Sequence, residues 1–152
     1  MTVEPNEYMQ QAIKAAEAAA ARGEVPVGAV VVESATGRVL AAAGNRVEEL
    51  NDPSAHAELL AIRAAGQLLG EPRLPGCDLY VTLEPCPMCA TVISFARVRR
   101  LFFGAYDPKG GGVDHGPRIY EQSTCHHRPE IVGGLSESEC ADLLKSFFRD
   151  RR

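Results

Sequence analysis

Residues 78–105 read DLYVTLEPCPMCATVISFARVRRLFFGA. The run from Asp78 to Leu83 is β-branched and apolar, Pro85 and Pro87 break it, residues 87–96 follow as a short apolar helix, and residues 99–105 form a second apolar run. A strand, a helix and a strand in such close succession predict two parallel strands joined by a crossover helix. The turn between the first strand and its helix carries Pro85-Cys86-Pro87-Met88-Cys89, two thiols three residues apart. Such a pair can be half of a disulfide framework, a redox couple or two ligands of a metal ion.

Working outward, residues 6–22 are Ala-rich with helical spacing, preceded by Pro5 and stopped by Gly23. Residues 25–33 and 38–43 are apolar runs around Ser-Ala-Thr-Gly and predict a β-hairpin. Residues 55–69 form a second helix ended by Gly70. The stretch 107–128 is Gly-rich and polar and reads as loop, with a short helical turn near Arg118. Residues 130–132 predict a last short strand, and Ser136-Glu137-Ser138-Glu139 a capping-box start for a final helix. The sum is an α/β domain over residues 1–152, a mixed sheet of about five strands with helices on both faces.

The composition is that of a folded globular chain, with 45% hydrophobic and 24% charged residues, and no apolar run approaches the roughly 20 residues of a membrane helix. The N-terminus lacks the basic start and apolar stretch of a signal peptide, so a cytoplasmic location is the expectation. Five cysteines in a reducing compartment argue against a disulfide scaffold. The net charge of −4 speaks against a nucleic-acid partner, yet it is unevenly spread. Residues 1–90 hold 12 acidic and 6 basic side chains, residues 91–152 hold 8 and 10, and the chain ends KSFFRDRR. That basic end is either a solvated helix terminus or a grip on phosphates.

A partner for the two thiols stands at the start of the second helix, in His56-Ala57-Glu58. Strand ends and helix starts of an α/β sheet share one edge, so His56, Cys86 and Cys89 can converge. Two thiolates and one imidazole suit zinc, and three protein ligands describe a catalytic rather than a structural site. Glu58, two residues from the ligand histidine, is placed to move protons without binding the ion. The paired His-x-Glu and Pro-Cys-x-x-Cys motifs are a known signature of zinc nucleobase deaminases.

Beyond these motifs, the chain resembles the bacterial tRNA-specific adenosine deaminases almost end to end. The likeness includes residues 24–29 (EVPVGA), Asn45, residues 51–58 (NDPSAHAE), residues 79–86 (LYVTLEPC), Phe103-Gly104-Ala105 with Asp107, and Phe147-Phe148-Arg149. The resemblance implies a three-layer α/β/α cytidine deaminase-like fold and one zinc ion per chain held by His56, Cys86 and Cys89. It further implies Glu58 as proton shuttle and a homodimer acting on a tRNA anticodon stem-loop, converting the wobble adenosine of an arginine tRNA to inosine. By position, Asn45 resembles a purine-contacting residue, Asp107 one beside the target base, and Phe148, Arg149 and Arg152 belong to a terminal helix that meets RNA. The short loop 107–116 departs from the family, so contacts there do not transfer residue by residue. Cys77 and Cys140 are expected to pack, and His126 and His127 to be loop histidines rather than a second metal site. Two rival readings are a deaminase of a free base such as guanine or cytosine, and a non-catalytic zinc module with Cys77 or Cys125 as a fourth ligand.

Overall fold

The computed structural model describes residues 4–151. Helix α1 (Pro5–Ala21) leads into the hairpin β1 (Gly28–Glu33) and β2 (Arg38–Gly44). A four-residue α2 (Val47–Leu50), α3 (Ala57–Leu69), β3 (Cys77–Leu83), α4 (Pro87–Phe95) and β4 (Arg100–Ala105) follow. A 3₁₀ turn (Ile119–Glu121), β5 (Glu130–Gly133) and α5 (Glu137–Arg149) complete the chain. The five strands form one mixed sheet in the order β2-β1-β3-β4-β5. β1 lies antiparallel to β2 and β3, and β3, β4 and β5 run parallel, so the crossover predicted from residues 78–105 is present.

Strand alternation divides the core between the two faces. Val31, Leu79, Val81, Leu101 and Phe103 pack under α3 and α4, whereas Val30, Val32, Tyr80 and Phe102 pack under α1 and α5. The architecture is the three-layer α/β/α cytidine deaminase-like fold. The alanines of α1 have a physical reason. Gly28 and Gly44 pair across β1 and β2, and a Cβ on Gly28 would lie 2.0 Å from the carbonyl oxygen of Ala12. Helix backbone therefore rests on strand backbone there, and only small residues permit it.

Two local expectations change, and one element, α2, was not anticipated. The first strand starts at Gly28 rather than Val25, because Pro26 cannot donate to a ladder and the Val27 N–H turns back to the Val25 carbonyl. α2 has no apolar periodicity to announce it; its first N–H groups are held by a buried carboxylate from elsewhere in the chain, described below. α5 begins where Ser136 suggested, but Ser136 adopts the left-handed region (φ 56°) and makes no side-chain capping bond, so the capping box is absent. No described helix is long and apolar enough to cross a membrane.

Candidate metal centre and substrate cleft

His56 and Cys86 occupy equivalent positions. Each is the residue just before a helix, α3 and α4 respectively, with extended backbone and no side-chain cap. Cys89 follows within the first turn of α4. The Nδ1 of His56 lies 3.6 Å from each sulfur, Cys86 Sγ and Cys89 Sγ. All three donor atoms lie within 4.8 Å of one another, and among the described residues this is the one such group of three or more His, Cys, Asp or Glu side chains. Hydrogen bonds from Cys89 and His56 outweigh burial and hold the Cys86 thiol down to about 4. The same hydrogen bond between the two thiols, with burial, pushes Cys89 well up.

These residues fit zinc by two tests. Bonds of about 2.3 Å to sulfur and 2.0 Å to nitrogen at a tetrahedral angle span about 3.5 Å, close to the separations observed. Secondly, Glu58 in the first turn of α3 is only 4% exposed, and its Oε1 is a buried oxygen without any hydrogen-bond partner. Burial pushes its carboxyl up to about 7, opposed in part by a bond from its own backbone N–H. A buried carboxylate costs free energy unless something donates to it, so the free oxygen marks where a donor belongs. Cys77 is buried in the core on β3, and Cys125 bonds near the His127 carbonyl, so neither joins the three donors as a fourth ligand. The donor set is open, which contradicts the closed zinc-module reading.

His56, Cys86 and Glu58 line a cleft of about 540 Å³, with Cys89 buried behind them. Val27, Asn45, Val47, Leu83, Asp107, Gly110, Phe147 and Arg151 contribute to its walls. Asn45 accepts the Ala57 N–H on its Oδ1 at 2.8 Å, which ties it to the start of α3 beside His56. Its amide nitrogen makes no hydrogen bond among the described residues. Asp107 reaches the rim from the loop after β4, and its Oδ1 accepts the Lys109 and Gly110 N–H groups at 3.2 and 2.9 Å.

The C-terminal helix turns its two adjacent phenylalanines to different surroundings. Phe147 is buried and lines the cleft, with the Arg151 guanidinium 3.7 Å from its ring centre. Phe148 is 50% exposed and Arg149 is exposed, and neither lines the cleft; Arg152 lies outside the described residues. Two further residues escaped the sequence reading. Glu24 is buried and accepts the Glu48 and Glu49 N–H groups at 3.1 and 2.8 Å, fixing α2 as one wall. Glu84, 2% exposed, does the same for the loop after β4. Each is a lone acid in an apolar or Pro-rich run, where the signal is a carboxylate at a position that ought to be buried.

An open set of three nitrogen and sulfur donors beside a buried carboxylate with one oxygen, Glu58 Oε1, left without a partner, on this fold, defines a hydrolytic zinc deaminase. Residues 3–105 match the model for the cytidine and deoxycytidylate deaminase zinc-binding region. The chain belongs to that family, and within it to the tRNA-specific adenosine deaminases. It is 56% identical over 149 residues to the tRNA-specific adenosine deaminase of Agrobacterium fabrum, covering 98% of this chain and 97% of the relative. It is 46% identical over 145 residues to that of Bacillus subtilis, covering 95% and 89%. A structure solved in studies of A-to-I editing by tRNA:A34 deaminases at the wobble position of transfer RNA superposes with a TM-score of 0.88. It shares 57% identity and covers 91% of this chain and 99% of its own.

Proposed function

We propose that this chain converts the wobble adenosine of a tRNA anticodon, by family resemblance that of an arginine tRNA, to inosine with release of ammonia. The observation that carries the proposal is the partnerless Oε1 of Glu58, in a cleft that it lines together with His56 and Cys86 of the three-donor set. His56, Cys86 and Cys89 would hold the zinc ion, which when bound would supply Lewis-acid activation of a water molecule. Glu58 accepts a proton from that water as its oxygen adds to carbon 6 of the base, and delivers it to the adjacent ring nitrogen. The regenerated carboxylate then takes the remaining proton of the added hydroxyl and passes it to the departing amine, so the carbon–oxygen double bond forms as the carbon–nitrogen bond breaks, and one group serves every proton transfer. The amide nitrogen of Asn45 offers a hydrogen bond to the purine, its orientation fixed by the Ala57 N–H on the other side of the amide. A base in an anticodon loop is already unpaired, which lowers the cost of turning it into the cleft.

Asp107 at the rim stands beside the nucleotide, with Phe148, Arg149 and Arg152 as contacts to flanking RNA. A homodimer accords with the apolar surface of the zinc-ligand helix, where Phe95 is 66% and Met88 37% exposed. A tRNA substrate places the enzyme in the cytoplasm. The test is ammonia release and inosine formation with an anticodon stem-loop, alongside free adenine, guanine and cytosine. Turnover of the stem-loop alone supports the proposal, and turnover of a free base alone replaces it with the free-base reading.

A further inference from the structure

The loop following β4 has the composition of a flexible segment, Asp107-Pro108-Lys109-Gly110-Gly111-Gly112-Val113-Asp114-His115. Its hydrogen bonding is otherwise. Five donors from it converge on the buried carboxylate of Glu84. Oε1 accepts the Asp107 N–H at 3.0 Å and faces the His115 ring Nδ1 at 2.8 Å. Oε2 accepts the N–H groups of Val113, Asp114 and His115 at 3.2, 2.9 and 3.0 Å. The Gly112 N–H adds a bond to the Pro85 carbonyl at 2.7 Å, so the loop lies directly on the segment that carries Cys86.

The glycines explain how it lies so close. A Cβ on Gly111 would come 2.4 Å from Glu84 Oε2 and 2.6 Å from the Asp107 carbonyl oxygen, and one on Gly112 would come 2.6 Å from the Pro87 nitrogen. Glycine here serves contact rather than flexibility. Five donors demand an acceptor-only group, since a glutamine would turn its own NH₂ toward one set of them.

We propose that Glu84 is a positioning residue for substrate: it fixes residues 107–115 as a preformed wall of the cleft and thereby holds Asp107 and Gly110 in place before RNA arrives. The inference rests on the deaminase reading of the cleft, but the order of the loop can be read without substrate. A wall that is already ordered spares the substrate the cost of ordering it, so loosening it weakens binding and leaves the chemistry at Glu58 alone.

The experiment is Glu84→Gln in the zinc-loaded, full-length protein. Amide hydrogen exchange at Asp107, Val113, Asp114 and His115 should accelerate at least tenfold, while the amides of β3 and zinc content stay as in the parent. The stem-loop KM should rise about tenfold, with kcat within about twofold. Gly111→Ala keeps the carboxylate but pushes the loop off it, and should show the same exchange pattern and the same KM shift. Unchanged exchange at those four amides in both variants overturns the proposal whatever the substrate proves to be. So does zinc loss in Glu84→Gln, which would place Glu84 with the metal ligands, or a hundredfold fall in kcat at constant KM, which would place it in the chemistry. An exchange change as expected, in a protein that turns over only free bases, would uphold the fixed loop and fail the tRNA reading.

Discussion

Asn45 is asked to do two things, and two substitutions separate them. Its Oδ1 accepts the buried Ala57 N–H at 2.8 Å, and in the proposed reaction its amide nitrogen is the group offered to the purine. Asn45→Ala removes both and leaves an N–H at the start of α3 without an acceptor, at a cost of about 1–3 kcal/mol. For a chain of this length each kcal/mol lowers Tm by about 2–4 °C, so a fall of about 3–10 °C is expected. Asn45→Asp keeps an acceptor for Ala57, and places its charge at a helix N-terminus, where it is tolerated. It exchanges the donor for a second acceptor, which then faces the purine acceptor unpaired. The loss on the substrate side is about 3 kcal/mol, or roughly 10²-fold in kcat/KM, with Tm within a few degrees of the parent. Calorimetry and ammonia release from an anticodon stem-loop measure the two quantities separately. An Asn45→Ala protein as stable as the parent refutes the structural half of the argument. An Asn45→Asp protein with parental kcat/KM refutes the other half.

Metal analysis should find one zinc per chain, and Cys86→Ala or His56→Ala should lose most of it, since three ligands leave no redundancy; undiminished zinc in either removes the assigned site. Gly28→Ala drives a methyl into the Ala12 carbonyl at 2.0 Å and should destabilise by about 1–3 kcal/mol in denaturant unfolding, whereas unaltered stability would show that α1 does not rest on the strand. Truncation after Phe148 removes Arg149 and the Arg151 that covers Phe147; it should raise the stem-loop KM and flatten its salt dependence by about 0.7 per lost phosphate contact, while an unchanged slope would make the tail a solvated helix end.

The parts of the molecule that the sequence announces are those whose physics is local or periodic. Residues 78–105 alternate and break where a parallel crossover must, and the sheet contains it. His56, Cys86 and Cys89 could be brought to one point by topology alone, because both helices start along the same sheet edge. What was illegible depends on distant partners. α2 exists because Glu24, more than twenty residues earlier, supplies acceptors for its first N–H groups. The glycines at 110–112 read as flexibility, and only the position of Glu84 shows that they serve close packing. At the C-terminus, spacing gave the helix, and the packing adds that Phe147 lines the cleft while Phe148 stays exposed. Ser136 has the right neighbours for a capping box and the wrong backbone angle, which no residue pattern reveals.

The central claim is that a zinc-dependent centre with Glu58 as its one proton carrier acts on a wobble adenosine. The direct measurement is inosine formed in an anticodon stem-loop by the parent protein and by Glu58→Ala, side by side, with zinc determined in both preparations. The account predicts inosine at the wobble position with the parent. It predicts full zinc but a loss of at least about 10²–10⁴-fold in rate for Glu58→Ala, because general acid–base help at several steps disappears together. Parental turnover by zinc-loaded Glu58→Ala, or loss of zinc from it, would contradict the account.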